Sequence, residues 1–145
     1  MSRSVNRLAR AALWLGLCAS AGLAGAESAD PRALPATLDE TGFFDPAVRA
    51  RLVAFTPQYP LWSDGATKRR WLYLPPGTAI DASQADAWEF PRGTRLWKEF
   101  SHGGAIETRY LERSSDGAWR FGAYVWNAAG TEARLAPAAG VRDLP

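Results

Sequence analysis

Cysteine and histidine are almost missing from this 145-residue chain, which has one of each, Cys18 and His102. A single cysteine forms no disulfide within the chain. It also excludes a C-x-x-C-H haem attachment and a cysteine zinc site. A single histidine does not by itself build a multi-histidine metal centre or a Ser-His-Asp triad. A glycine-rich phosphate loop and metal-ligand spacing are absent as well, so no catalytic residue and no metal ligand is assigned. Charge of one sign is scarce, with 17 basic against 15 acidic residues, and no nucleic-acid partner is expected. A long apolar run is lacking too. Ala11–Gly25 is uncharged, but about 15 residues are few for a bilayer span.

That run is the middle of an export signal. Arg3, Arg7 and Arg10 precede it, and it ends in Ala24-Gly25-Ala26, the small-x-small pattern of a cleavage site. Leu17 stands where a lipid-attachment motif needs a small residue before Cys18. Residues 1–26 are therefore expected to be removed and the mature chain to work in the periplasm or outside the cell, with no stable membrane insertion. Cleavage also removes Cys18 and the three arginines, leaving one more acidic than basic residue.

Residues 27–37, polar and rich in Ala and Pro, read as a flexible leader. A single domain is expected over 38–145. Asp45-Pro46 offers an N-cap and a first helical position, which predicts a short helix through about Ala54. Beyond Thr56 the chain is broken by Pro57, Pro60, Pro75, Pro76 and Pro91. Strands are expected at Lys68–Leu74, Ala87–Phe90, Thr94–Ser101, Ile106–Arg113, Ala118–Asn127 and Thr131–Leu135. The expected fold is mainly β, an antiparallel β-sandwich or partly closed barrel with one short N-terminal helix. In the hairpin around Gly103-Gly104-Ala105, charge pairing predicts Glu99 opposite Arg109 and Trp97 opposite Leu111. A one-residue slip would oppose Lys98 to Arg109 and Phe100 to Glu107.

The candidate ligand- or partner-binding residues are Trp62, Asp64, Lys68, Arg70, Lys98, His102 and Trp126. Pro60–Arg70 joins a tryptophan to a Ser-Asp-Gly turn and three successive cations, which suits an anionic group or a partner protein as well as a plain turn with solvated charges. Alternation along a strand keeps Lys68, Arg69 and Arg70 from lining one pocket. Lys98 shares a face with Leu96 and Phe100, either snorkelling at an apolar edge or used chemically. His102 reads as a turn residue, or else as an axial ligand or proton shuttle for a bound cofactor. The tryptophans of the mature chain fill a small core or form a stacking platform.

The motifs LDETGFF, PLWSDGATKRRWLYLPPGTAI, WEFPRGTRLWKEF, IETRYLER and YVWNAAGTEARL follow one another over about Leu38–Leu135. In that order they resemble an exported bacterial family of largely uncharacterised proteins, in which this β domain precedes a c-type cytochrome-like segment. The family is associated with periplasmic redox systems and quinoprotein-type sugar dehydrogenases. Pro91, Gly93, Thr94 and Lys98 also resemble the Pro-x-Gly-Thr-x-x-x-Lys pattern of cytochrome P460 domains. The resemblance implies the β domain without its redox half, an accessory or binding domain that is itself non-catalytic. Its implied partner is a cytochrome c or a periplasmic dehydrogenase, and it implies no cofactor in this chain. Two alternatives stand beside it. One is a carbohydrate-binding module using exposed tryptophans. The other is a P460-like enzyme domain with Lys98 at a noncovalent haem.

Overall fold

The computed structural model describes residues 33–59, 61–62 and 64–141. The export signal expected over residues 1–26 lies outside the described residues. Among the described residues six antiparallel strands form one sheet in chain order: β1 Val53–Ala54, β2 Thr67–Tyr73, β3 Arg95–Ser101, β4 Ala105–Arg113, β5 Trp119–Trp126 and β6 Ala133–Leu135. The mainly β, antiparallel architecture is the one expected. It is sandwich-like because a second layer covers one face of the sheet, and the sheet is not closed into a barrel.

That second layer is the N-terminal segment. It contains a 3-10 turn, Asp39–Thr41, and one short helix, α1 Pro46–Arg49. Leu38, Phe43 and Val48 from this segment pack on Trp97, Tyr110, Tyr124, Trp126 and Ala133 from the sheet. Burying one such apolar side chain contributes about 1.5–3 kcal/mol, so these few contacts hold the two layers together. The buried indoles are also satisfied in kind, since Trp97 Nε1 donates to Thr41 Oγ1 at 3.0 Å and Trp126 Nε1 to Thr108 Oγ1 at 3.0 Å.

Among the described residues packing already includes Leu34, ahead of Leu38. Leu34 lies against the core, Thr37 bridges Arg134, and Tyr124 Oη donates to the Pro35 carbonyl at 2.9 Å. Composition marked these residues as leader, but the edge of β6 pairs with their backbone. The helix is shorter than its apolar spacing suggested. Asp45 caps it by accepting from Ala47 N at 2.7 Å, yet Val53 and Ala54 leave it to pair with Leu72 and Trp71. Tertiary pairing overrides the weak helical preference of a β-branched residue. At Ala87–Phe90 only a bridge from Asp81 to Glu89 forms. Asp45→Ala is expected to destabilise the domain by about 1 kcal/mol, the usual loss for an N-cap, read as a lowered urea midpoint with an unchanged slope.

The β3–β4 hairpin takes the slipped register. Trp97 faces Tyr110, Lys98 faces Arg109, Glu99 faces Thr108 and Phe100 faces Glu107, with a bulge between Phe100 and Ser101. Glu99 and Arg109 therefore lie on opposite faces of the sheet, and the pairing argued from charge is wrong. Cross-strand charge pairs contribute only about 0.2–1 kcal/mol. The slipped register instead places Trp97 and Tyr110 together in the core, where their rings lie 5.5 Å apart. The turn is His102-Gly103-Gly104, closed by His102 N donating to Gly104 O at 2.9 Å. Gly103 supplies the positive φ of 72° that a three-residue loop with a bulge requires.

Candidate functional site

Alternation along the strands divides the cations between the two faces. Arg69 points to the covered side, where its guanidinium donates to Glu99 Oε1 at 2.5 and 3.0 Å. Lys68 and Arg70 point to the uncovered side. The register places Lys98 beside Arg70, and Arg109 beside Lys98. Four cations thus gather on the open face. The like-charged neighbours Lys98 and Arg109 are accommodated by the ring between them, for Lys98 Nζ lies 4.7 Å and the Arg109 guanidinium 4.8 Å from the Phe100 centroid. Arg109 also pairs with Glu107 at 2.6 Å. Partial burial lowers the pKa of Lys98 below the usual lysine value, helped by the charges of Arg70, Arg109 and Lys68 and opposed by Glu107.

The loop before β2 joins this face. Asp64 and Gly65 both have positive φ, 46° and 79°, which Asp and Gly tolerate best. Asp64 Oδ1 accepts from Trp62 Nε1 at 2.8 Å. The Lys68 ammonium, on the open face, donates to the carbonyls of Leu61 and Trp62. It thereby ties the loop to the cationic patch and leaves the ring of Trp62 85% exposed, with Tyr59 and Leu61 exposed alike. His102 sits against the same turn, since a Cβ on Gly65 would lie 3.9 Å from its Cε1.

Six of the seven sequence candidates therefore meet on one side: Trp62, Asp64, Lys68, Arg70, Lys98 and His102. Trp126 does not join them, being buried in the core on the covered side. Any haem held by Lys98 would rest on the open face rather than inside the domain. Sequence reasoning missed Arg109, because the wrong hairpin register put it on the face opposite Lys98, and it placed Phe100 beside Lys98 without counting it in the site. It also missed Tyr59 and Leu61, whose exposure no local pattern signals. Beyond the cations the open face turns apolar. A shallow groove of about 480 Å³ is lined by Leu111, Phe121 and Ala123, with Glu107 and Arg109 also on its wall, and Phe121 is 75% exposed.

Among the described residues no cluster of three or more His, Cys, Asp or Glu side chains is placed to hold a metal. No described helix is long and apolar enough to cross a membrane. A scan of family models and searches of curated proteins and of solved structures each found no match for this chain.

Proposed function

We propose that this chain is an exported accessory domain, itself non-catalytic, that docks through its open sheet face onto an acidic surface of a c-type cytochrome or quinoprotein-type dehydrogenase. The observation that carries the reading is the Lys68 bridge. Lys68, itself one of the four clustered cations, joins the loop of an exposed tryptophan to the other three, and tryptophan and arginine are the residues that dominate binding energy at protein interfaces. The neighbouring groove lined by Leu111 and Phe121 offers the apolar area that such a contact needs. The partner class comes from the order of the sequence motifs, and the charge of the patch selects an acidic face on it.

The test is direct titration of the purified protein with a soluble acidic c-type cytochrome, followed by sedimentation at the haem absorbance. Binding is expected at low salt and should weaken steeply as the Debye length falls from ~10 Å at 0.1 M to ~3 Å at 1 M ionic strength. Lys98→Glu and Trp62→Ala should each raise Kd by about tenfold or more. Binding indifferent to both substitutions, or no binding at low salt to acidic cytochromes or dehydrogenases, sinks the proposal. The exposure of Trp62 and Trp88 favours a second reading, stacking of carbohydrate. Tryptophan emission that shifts saturably with oligosaccharides and is lost in Trp62→Ala and Trp88→Ala would support it.

A further inference from the structure

The covered side of the sheet carries a second feature that the docking surface does not use. A recess of about 280 Å³ opens at the rim of the core, near the low end of the ~300–1,000 Å³ typical of small-molecule sites. Its walls are aromatic and continuous. Trp71 and Phe44 each pack edge-on against Phe43 at 5.0 Å, and Phe44 in turn lies 6.4 Å from Trp126. Glu99 lines the recess and is only 4% exposed. Every hydrogen bond it accepts, two from Arg69 and one from Ser101 Oγ at 3.1 Å, falls on Oε1. Oε2 accepts none. Among the described residues no sealed side-chain oxygen is left unpaired, so Oε2 is open to the space that Glu99 lines.

The charges in the recess select the ligand. Arg69 neutralises Glu99. Arg49 also lines the recess, with its guanidinium 5.8 Å from the Phe43 centroid. Among the described residues it has no acidic partner within ion-pair distance. One positive charge therefore remains. A carboxylate matches a guanidinium in shape and charge. A hydroxyl donor matches the free Oε2 of Glu99, and the C–H faces of a saturated ring match the aromatic walls.

We infer that this recess binds a small monoanionic hydroxy acid of ring size, of the sugar-acid class, with its carboxylate on Arg49 and a hydroxyl on Glu99 Oε2. The site is independent of the docking surface, since the two lie on opposite faces of the sheet.

The test uses the whole mature protein and D-glucuronate, with the tryptophan indole N–H resonances as reporters. Glucuronate should perturb Trp71 and Trp126 saturably. Glucose, which lacks the carboxylate, and cyclohexanecarboxylate, which lacks the hydroxyls, should each bind about tenfold or more weakly, the worth of one charge-assisted hydrogen bond. Arg49 is exposed, so Arg49→Gln leaves the fold intact and should bring glucuronate down to the affinity of glucose. Glu99→Gln removes the hydroxyl acceptor and frees the charge of Arg69, so it should strengthen cyclohexanecarboxylate and narrow the gap between it and glucuronate. An absence of saturable binding overturns the inference, as does an Arg49→Gln protein that binds glucuronate normally. Perturbation confined to Trp62 and Trp88 also overturns it and moves sugar binding to the open surface.

Discussion

Trp97→Ala is expected to destabilise the domain by about 4 kcal/mol, within the range for removing a large aromatic from a packed core. Trp97 is 1% exposed and stands where the two layers meet. Its ring lies 5.4 Å from Phe43 and 5.5 Å from Tyr110, and its indole holds Thr41 Oγ1 at 3.0 Å. Removing it opens a cavity in a core whose fully buried side chains are few. Thr41 is buried as well. It keeps its own bond to the Leu38 carbonyl, so the main loss is packing rather than an orphaned hydroxyl. Against a total stability of ~5–15 kcal/mol for an ordinary domain, this leaves a marginal fold. Thermal unfolding should show a fall in Tm on the order of 15 °C. Trp62→Ala, exposed in the loop, should leave Tm unchanged. A Trp97→Ala protein that melts with the wild type would show that the two layers are held elsewhere.

The second large effect is expected at high pH. Tyr124 is fully buried, and its phenol is pushed up to about 12, first by that burial and then by the charges of Glu40 and Glu112. Tyr110 is displaced further in the same direction, again first by burial and then by Glu112, with Arg95 opposing. Both phenols are thus held neutral in the folded protein, whereas in the unfolded chain they lose their protons near the ordinary value of 10. Above that pH the unfolded state binds fewer protons than the folded state, and stability falls as pH rises. The contribution is whole below pH 10 and is lost progressively as pH climbs from 10 through 12 for Tyr124, and beyond that for Tyr110. The tyrosinate absorbance of these two buried phenols should therefore appear together with the change in circular dichroism, in one alkaline transition. The Tyr110→Phe/Tyr124→Phe protein should lose its structure at higher pH than the wild type. Tyrosinate absorbance that reaches its full amplitude before any loss of structure would refute this account.

The two strongest expectations rest on residues whose burial the sequence only partly disclosed. Trp97 and Tyr110 stood in runs readable as strands, but which face of each strand met the core depended on the hairpin register. Charge pairing between Glu99 and Arg109 pointed one way, and the burial of two aromatic rings decided the other. Glu99 then found its partner in Arg69 on β2 rather than in Arg109 on β4. The same one-residue shift put Arg109 on the open face and completed the cationic patch, so an error in register became an error in the site.

Local chemistry alone determined much of this protein. Alternating aromatic and β-branched residues between Pro and Gly breaks marked five of the six strands within a residue or two of their ends, because a period of two and a turn are short-range properties. Asp45-Pro46 announced the helix start, and strand parity separated Arg69 from Lys68 and Arg70. The tertiary structure decided what depends on residues far apart in sequence. Val53 and Ala54 became a strand through Leu72 and Trp71, and Leu34–Thr37 became part of the domain through β6. The N-terminal segment, rather than a second sheet, covers the core because it brings Leu38, Phe43 and Val48 onto the face that Trp97, Tyr110 and Tyr124 offer. The aromatic recess around Glu99 forms where that segment meets the rim of the sheet. Its walls come from residues as distant as Phe43 and Trp126, and no pattern along the chain brings them together before the chain folds.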